Sequence, residues 1–231
     1  MNDYLDLLKE RKLTLIMSLP VNDPELCRAA FGEGADVVKI HLNVHHRASG
    51  THFGTLDEQR EALEEMLKCK AGPMGIVPGG SVEDAERDFE ALEQMPFSFY
   101  SVYAHHIPGC MLGSARPLMA ACDYSYSMDE ISLMPEAGAK IVEASVIPGG
   151  EYGTRLNMRD LMKYTAIARS VGVPVVVPTQ RAIRPEEVWL LSRAGVKAIM
   201  IGAMVTGKEK DGILAAIRAF RKAVDEVNGC A

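Results

Sequence analysis

GADVVKIHLNV, residues 34–44, reads as one strand with two unlike faces: Val38, Ile40 and Leu42 alternate with Lys39, His41 and Asn43. Successive side chains of a strand point to opposite sides, so one side here is wholly apolar and the other carries a lysine, a histidine and an amide. That division suits a parallel barrel. The outward face of each strand packs under helices, while the inward face fills the barrel and reaches its mouth at the C-terminal end. The same phase recurs in residues 139–146, where Val142, Ala144 and Val146 face outward and Glu143 and Ser145 inward. In residues 98–105, Tyr100, Val102 and Ala104 face outward and Ser101, Tyr103 and His105 inward.

Short apolar runs alternate with helical patterns along the whole chain, the signature of repeated βα units. Strands are expected at 13–19, 36–43, 73–78, 98–105, 122–127, 139–146, 172–178 and 197–202, with helices at 55–68, 81–93, 155–170, 184–194 and 208–226. Helix starts are marked by Asp23-Pro24, by Ser81 with Glu83 and Asp84, and by Arg184-Pro185-Glu186. Residues 3–11 form an extra helix that closes the bottom of the barrel. An open doubly wound sheet is the competing architecture, but MSLPVNDPE follows the first strand where a glycine-rich dinucleotide fingerprint would stand. The expectation is therefore a single α/β domain over residues 1–231, a (β/α)₈ or TIM barrel, and 231 residues suffice for one. PGG occurs twice, at Pro78-Gly79-Gly80 and Pro148-Gly149-Gly150, each just after a strand.

Charge narrows the partners. Twenty-five Lys and Arg against 31 Asp and Glu leave a net charge of -6, which disfavours nucleic acid and anionic membranes. No apolar stretch approaches the length of a membrane span, and the charged N-terminus does not resemble a signal peptide. Cys27, Cys69, Cys110, Cys122 and Cys230 form an odd, unpatterned set suited to a reducing compartment, so a cytoplasmic protein is expected. Homo-oligomerisation stays open.

Lys39 and Glu143 are the informative pair. Burying an isolated charge inside a barrel is costly, so the two either pair or perform chemistry. They stand on the second and sixth strands, which face each other across an eight-stranded barrel. All six histidines fall at two places on the same face: His41, His45, His46 and His52 near the second strand, His105 and His106 after the fourth. Acid/base work by His41 or His105 is the main reading. A divalent metal is the lesser one, since no compact histidine-carboxylate motif is present. The stretch from Val44 to Gly54 has the composition of a loop that closes over a ligand or of a solvated excursion.

The closing segment, QRAIRPEEVWLLSRAGVKAIMIGAMVTGKEKDGILAAIRAFRKAV (180–224), resembles the last two units of ribulose-phosphate-binding barrels. The resemblance implies phosphate binding by backbone N–H groups of Arg181, Ala182 and Ile183 and of Gly202, Ala203 and Met204, at loops that lead into helices. MSL at 17–19 and GADVVKIHLNV are similar to the first two strands of ribulose-phosphate 3-epimerases. That similarity aligns Ser18, His41 and Asn43 with substrate-site positions. The family's two acid/base aspartates are matched here by Asn43 and Gln180, and one of its metal-binding histidines by Met74. An amide neither takes up nor delivers a proton at neutral pH, so Lys39 and Glu143 become the replacements. The expected activity is isomerase- or epimerase-type proton transfer on a small phosphorylated sugar. Lys39, His41, Glu143 and His105 are the catalytic candidates, and Ser18, Asn43, Tyr103, Ser145 and Gln180 the substrate contacts. The alternatives are a Schiff-base lyase or aldolase built on Lys39, and a non-catalytic barrel that binds a phosphometabolite. No organic cofactor is expected.

Overall fold

In the computed structural model of the chain, which describes residues 3–229, eight parallel strands close into a barrel. They are β1 (Thr14–Ser18), β2 (Val37–His41), β3 (Met74–Val77), β4 (Phe99–Tyr103), β5 (Leu118–Cys122), β6 (Ile141–Ala144), β7 (Val175–Pro178) and β8 (Ala198–Ile201). Sequential strands are neighbours, and β8 returns to β1 with Thr14 opposite Ala198. Cys230 lies outside the described residues.

The inward and outward faces separate into two cores. Outside, Val38, Ile40, Leu42, Tyr100, Val102, Val142, Ala144 and Val146 join the layer between sheet and helices. That layer is covered by α2 (Pro24–Gly32), α3 (Leu56–Leu67), α6 (Met128–Leu133), α7 (Met158–Ser170), α8 (Val188–Arg193) and α10 (Lys210–Asn228) among others. Inside, Ile16, Val37, Phe99, Met119, Ile141, Val176, Ala198 and Met200 fill the lower barrel. Helix α1 (Asp3–Glu10) closes that end: Tyr4 and Leu8 are fully buried, and the Tyr4 ring stacks on Phe99 at 4.1 Å. Phe99 in turn occupies the space beside Gly75, where a Cβ would stand 2.1 Å from the ring.

Three sequence expectations are corrected. The fifth strand is Leu118–Cys122, not 122–127. It starts directly after Pro117 as a run buried on both faces, and it ends where Asp123 turns the chain by accepting the N–H of Ser125 at 2.7 Å. Tyr124 and Tyr126 imitate strand alternation within that turn.

The helix expected at 81–93 is two pieces, α4 (Val82–Arg87) and α5 (Phe89–Glu93). The break falls at Asp88, whose carboxylate is drawn to Asn43 Nδ2 and the N–H of Leu56. The stretch 44–54 is no simple loop either. It forms an antiparallel hairpin, Val44–His46 against Thr51–Phe53, and leads into α3 through a Thr55/Glu58 capping box.

Candidate active site

A cavity of about 480 Å³ opens at the C-terminal ends of the strands. Its size suits a small metabolite. Lys39 lies within it on β2 and Glu143 on β6, and they meet above the apolar barrel floor with Lys39 Nζ 3.2 Å from Glu143 Oε2. Both are buried. Ser101 on β4 donates to Glu143 Oε2 at 3.1 Å and lies 3.5 Å from Lys39 Nζ. Ser145 donates to the other carboxylate oxygen at 2.7 Å. The carboxylate therefore accepts from an ammonium and two hydroxyls, which fixes its plane and aims it. Strand alternation explains the convergence, since Lys39, Ser101, Glu143 and Ser145 all sit in the inward phase.

Tyr103 and Tyr152 complete the wall on the β4 and β6 side. Burial raises the Tyr103 hydroxyl's pKa, with Tyr152 and Glu143 adding to the rise, so Tyr103 stays protonated as a donor. Burial likewise raises that of Tyr152. Gln180 Nε2 donates to the Tyr152 hydroxyl at 2.6 Å and to the Ser145 carbonyl at 3.1 Å, and its Oε1 accepts the N–H of Ile147. Gln180 lines the cavity with every amide group engaged, and it holds Tyr152 with the phenolic proton free to point elsewhere. Sequence reading missed Tyr152. It lies on a loop outside any alternating strand pattern, and only the fold brings that loop to the mouth.

The remaining candidates separate. Ser18 lines the cavity beside Lys39, its register partner. His41 lines it too, yet its ring lies under the hairpin, 4.5 Å from His46 and 4.8 Å from Phe53 between centroids. Burial first, then His46 and Lys39, lower its pKa well below the usual imidazole value, so it is neutral. Its Nδ1 is buried without a hydrogen-bond partner. His105 is exposed at the rim, where Nδ1 meets the Tyr126 hydroxyl at 3.0 Å, and it makes no bond to the Lys39–Glu143 pair.

Asn43 does not line the cavity. With φ at 50° it turns the chain into the hairpin, and its amide is bound to the Pro78 carbonyl, Asp88 and Arg87.

The expected phosphate loops divide in the same way. Arg181 is turned from the cavity into a buried cluster, with Nε 2.9 Å from Asp160 and Nη2 2.7 Å from Glu151. The N–H groups of Ala182 and Ile183 are spent on the carbonyls of Thr154 and Arg181. After β8, the Gly202 N–H goes to Thr179 Oγ1 at 3.1 Å. Those of Ala203 and Met204 open the short α9 (Ala203–Thr206) with no acceptor recorded among the described residues, and Gly202 and Met204 line the cavity.

Among the described residues no group of three or more His, Cys, Asp or Glu side chains is placed to hold a metal ion, and His46 Nδ1 is engaged by Ser49 Oγ at 2.8 Å. No helix among the described residues is long and apolar enough to cross a membrane.

No protein-family model matches the sequence, and a search of curated proteins found no match. Solved structures match by fold. Thiamine phosphate pyrophosphorylase from Pyrococcus furiosus is 16% identical with a TM-score of 0.66, over 95% of this chain and 98% of that one. A tryptophan synthase chain from Mycobacterium tuberculosis reaches a TM-score of 0.71 at 13% identity, over 95% of this chain and 96% of that one. A native KDPGal structure gives 0.63 at 17% identity, over 93% and 95%. Likeness at these identities establishes the (β/α)₈ fold.

Proposed function

We propose that this barrel is an enzyme that moves a proton next to a carbonyl in a small phosphorylated sugar or related metabolite, in the manner of an isomerase or epimerase. The observation that carries the reading is the buried Lys39–Glu143 pair at 3.2 Å, facing a cavity of about 480 Å³. A pair needed only for stability is more economically replaced by apolar packing, and this one is kept where ligand can reach it. Glu143 takes the proton from the carbon beside the carbonyl, and the C–H electrons pass into the enolate. Lys39 Nζ–H and the hydroxyl of Tyr103 or Tyr152 hold the enolate oxygen, and the protonated Glu143 returns the proton to carbon. The N–H groups of Ala203 and Met204 offer dipoles to the phosphate. Lys39 as an imine-forming nucleophile is the weaker reading, because its Nζ is already engaged as a donor to Glu143 Oε2 at 3.2 Å and attack on a carbonyl needs that nitrogen released.

The test is proton exchange in ²H₂O, read by NMR over a panel of phosphorylated aldoses and ketoses. Lys39→Met is expected to lower exchange at least 100-fold and Lys39→Arg to keep part of it, each checked for folding by circular dichroism. Exchange in Lys39→Met equal to the parent, or no exchange by the parent across the panel, would overturn the reading. A reduced adduct on Lys39 after borohydride would replace it with the lyase.

A further inference from the structure

The mouth is spanned by a cation that no described residue neutralises. At the tip of the hairpin, Arg47 lines the cavity, and no carboxylate or carbonyl among the described residues is hydrogen-bonded to it. The other strong cation lining the cavity, Lys39, is matched by Glu143. His41 and His46 are held neutral by burial. Asp123, the other carboxylate of the lining, is engaged by the N–H and hydroxyl of Ser125 on the β5 side.

Arg47 also has a built seat. Its guanidinium lies on the backbone of Gly149, in the loop after β6, so closely that a Cβ there would stand 2.1 Å from Nη1. Its charge opposes in part the rise that burial gives the Tyr152 hydroxyl, which puts its field on the cavity wall. The hairpin that carries it is pinned from below by the stack of His41, His46 and Phe53. A guanidinium held over a pocket with its fork unused is the geometry that takes an oxyanion by two parallel hydrogen bonds.

We infer that Arg47 is the charged anion-recognition residue of this site: it reaches from the β2 hairpin across the mouth and binds the phosphate of the ligand. This deepens the proton-transfer reading and rests on it for the identity of the substrate, but not for the anion site itself. The second PGG fits the same seat, since a side chain at Gly149 would displace the guanidinium that lies on its backbone.

The probe is inorganic phosphate, titrated into the intact chain and followed by calorimetry or ³¹P line broadening. Arg47→Met is expected to weaken phosphate at least tenfold and Arg47→Lys less, because an ammonium retains the charge and loses the fork. Gly149→Ala should weaken it several-fold with Arg47 still present, because the methyl group displaces the guanidinium from its seat. Arg47 is exposed, so its variants should keep the parent's melting temperature. Phosphate affinity unchanged in Arg47→Met, or no phosphate binding by the parent, overturns the assignment. The two readings fail separately. A parent that binds phosphate through Arg47 yet exchanges no proton with any sugar phosphate keeps the anion site and loses the proposed reaction.

Discussion

Arg181 enters the phosphate expectation through its backbone N–H, and its side chain has separate work. The guanidinium is enclosed by Asp160, Glu151 and Thr154, with Asp160 itself buried. The three groups tie the loop after β6, helix α7 and the loop after β7 together, so its role is to position the loops. Arg181→Met should cost about 3 kcal/mol, because Asp160 is left as a buried charge without its partner. For a chain of this length that is a fall of about 10 °C in melting temperature, measured by calorimetry. Phosphate affinity at a temperature where the variant is folded should equal the parent's. A loss of affinity without loss of stability would restore the phosphate role.

At the scale of elements, the hairpin behaves as a strap whose lower surface is an aromatic stack that must stay uncharged. Burial above all, then Lys39, lowers the pKa of His46 from the usual 6.5 to about 4, and His41 shifts in the same direction. Between those values the unfolded chain binds a proton that the folded histidine refuses, so stability declines as pH falls from about 6.5 towards 4. The urea midpoint should therefore drop between pH 7 and pH 4.5, and His46→Asn should reduce that drop. Equal slopes in parent and variant would remove His46 from the linkage. Asn43 belongs to the same element. It fell in the inward phase on paper, but one residue with positive φ diverted the chain, and its amide went to α4, α5 and the β3 loop instead of the cavity.

Taken whole, the barrel stands on a plug at one end and a strap at the other. Tyr4 is fully buried against Phe99, which itself fills the room that Gly75 leaves under Lys39. Tyr4→Ala should cost about 3 kcal/mol through the cavity it opens, measured as a lower urea midpoint. Because that cavity is at the N-terminal end of the strands, the phosphate affinity of the folded variant should be unchanged. A fall in affinity would mean that the floor transmits to the mouth.

Legible before folding was whatever depends on period and burial: the strands other than the fifth, the inward phase of Lys39, Ser101, Glu143 and Ser145, and the closing helix α1. Those follow from local geometry repeated around the barrel. The tertiary structure alone decided which polar groups were left over for a ligand. Arg181, Asn43 and Gln180 proved to be consumed by neighbours distant in sequence, while Tyr152 and Arg47 were brought to the mouth by loops with no periodicity to read. Hydrogen-bond capacity is finite, and how it is shared among such neighbours depends on contacts that exist only once the barrel has closed.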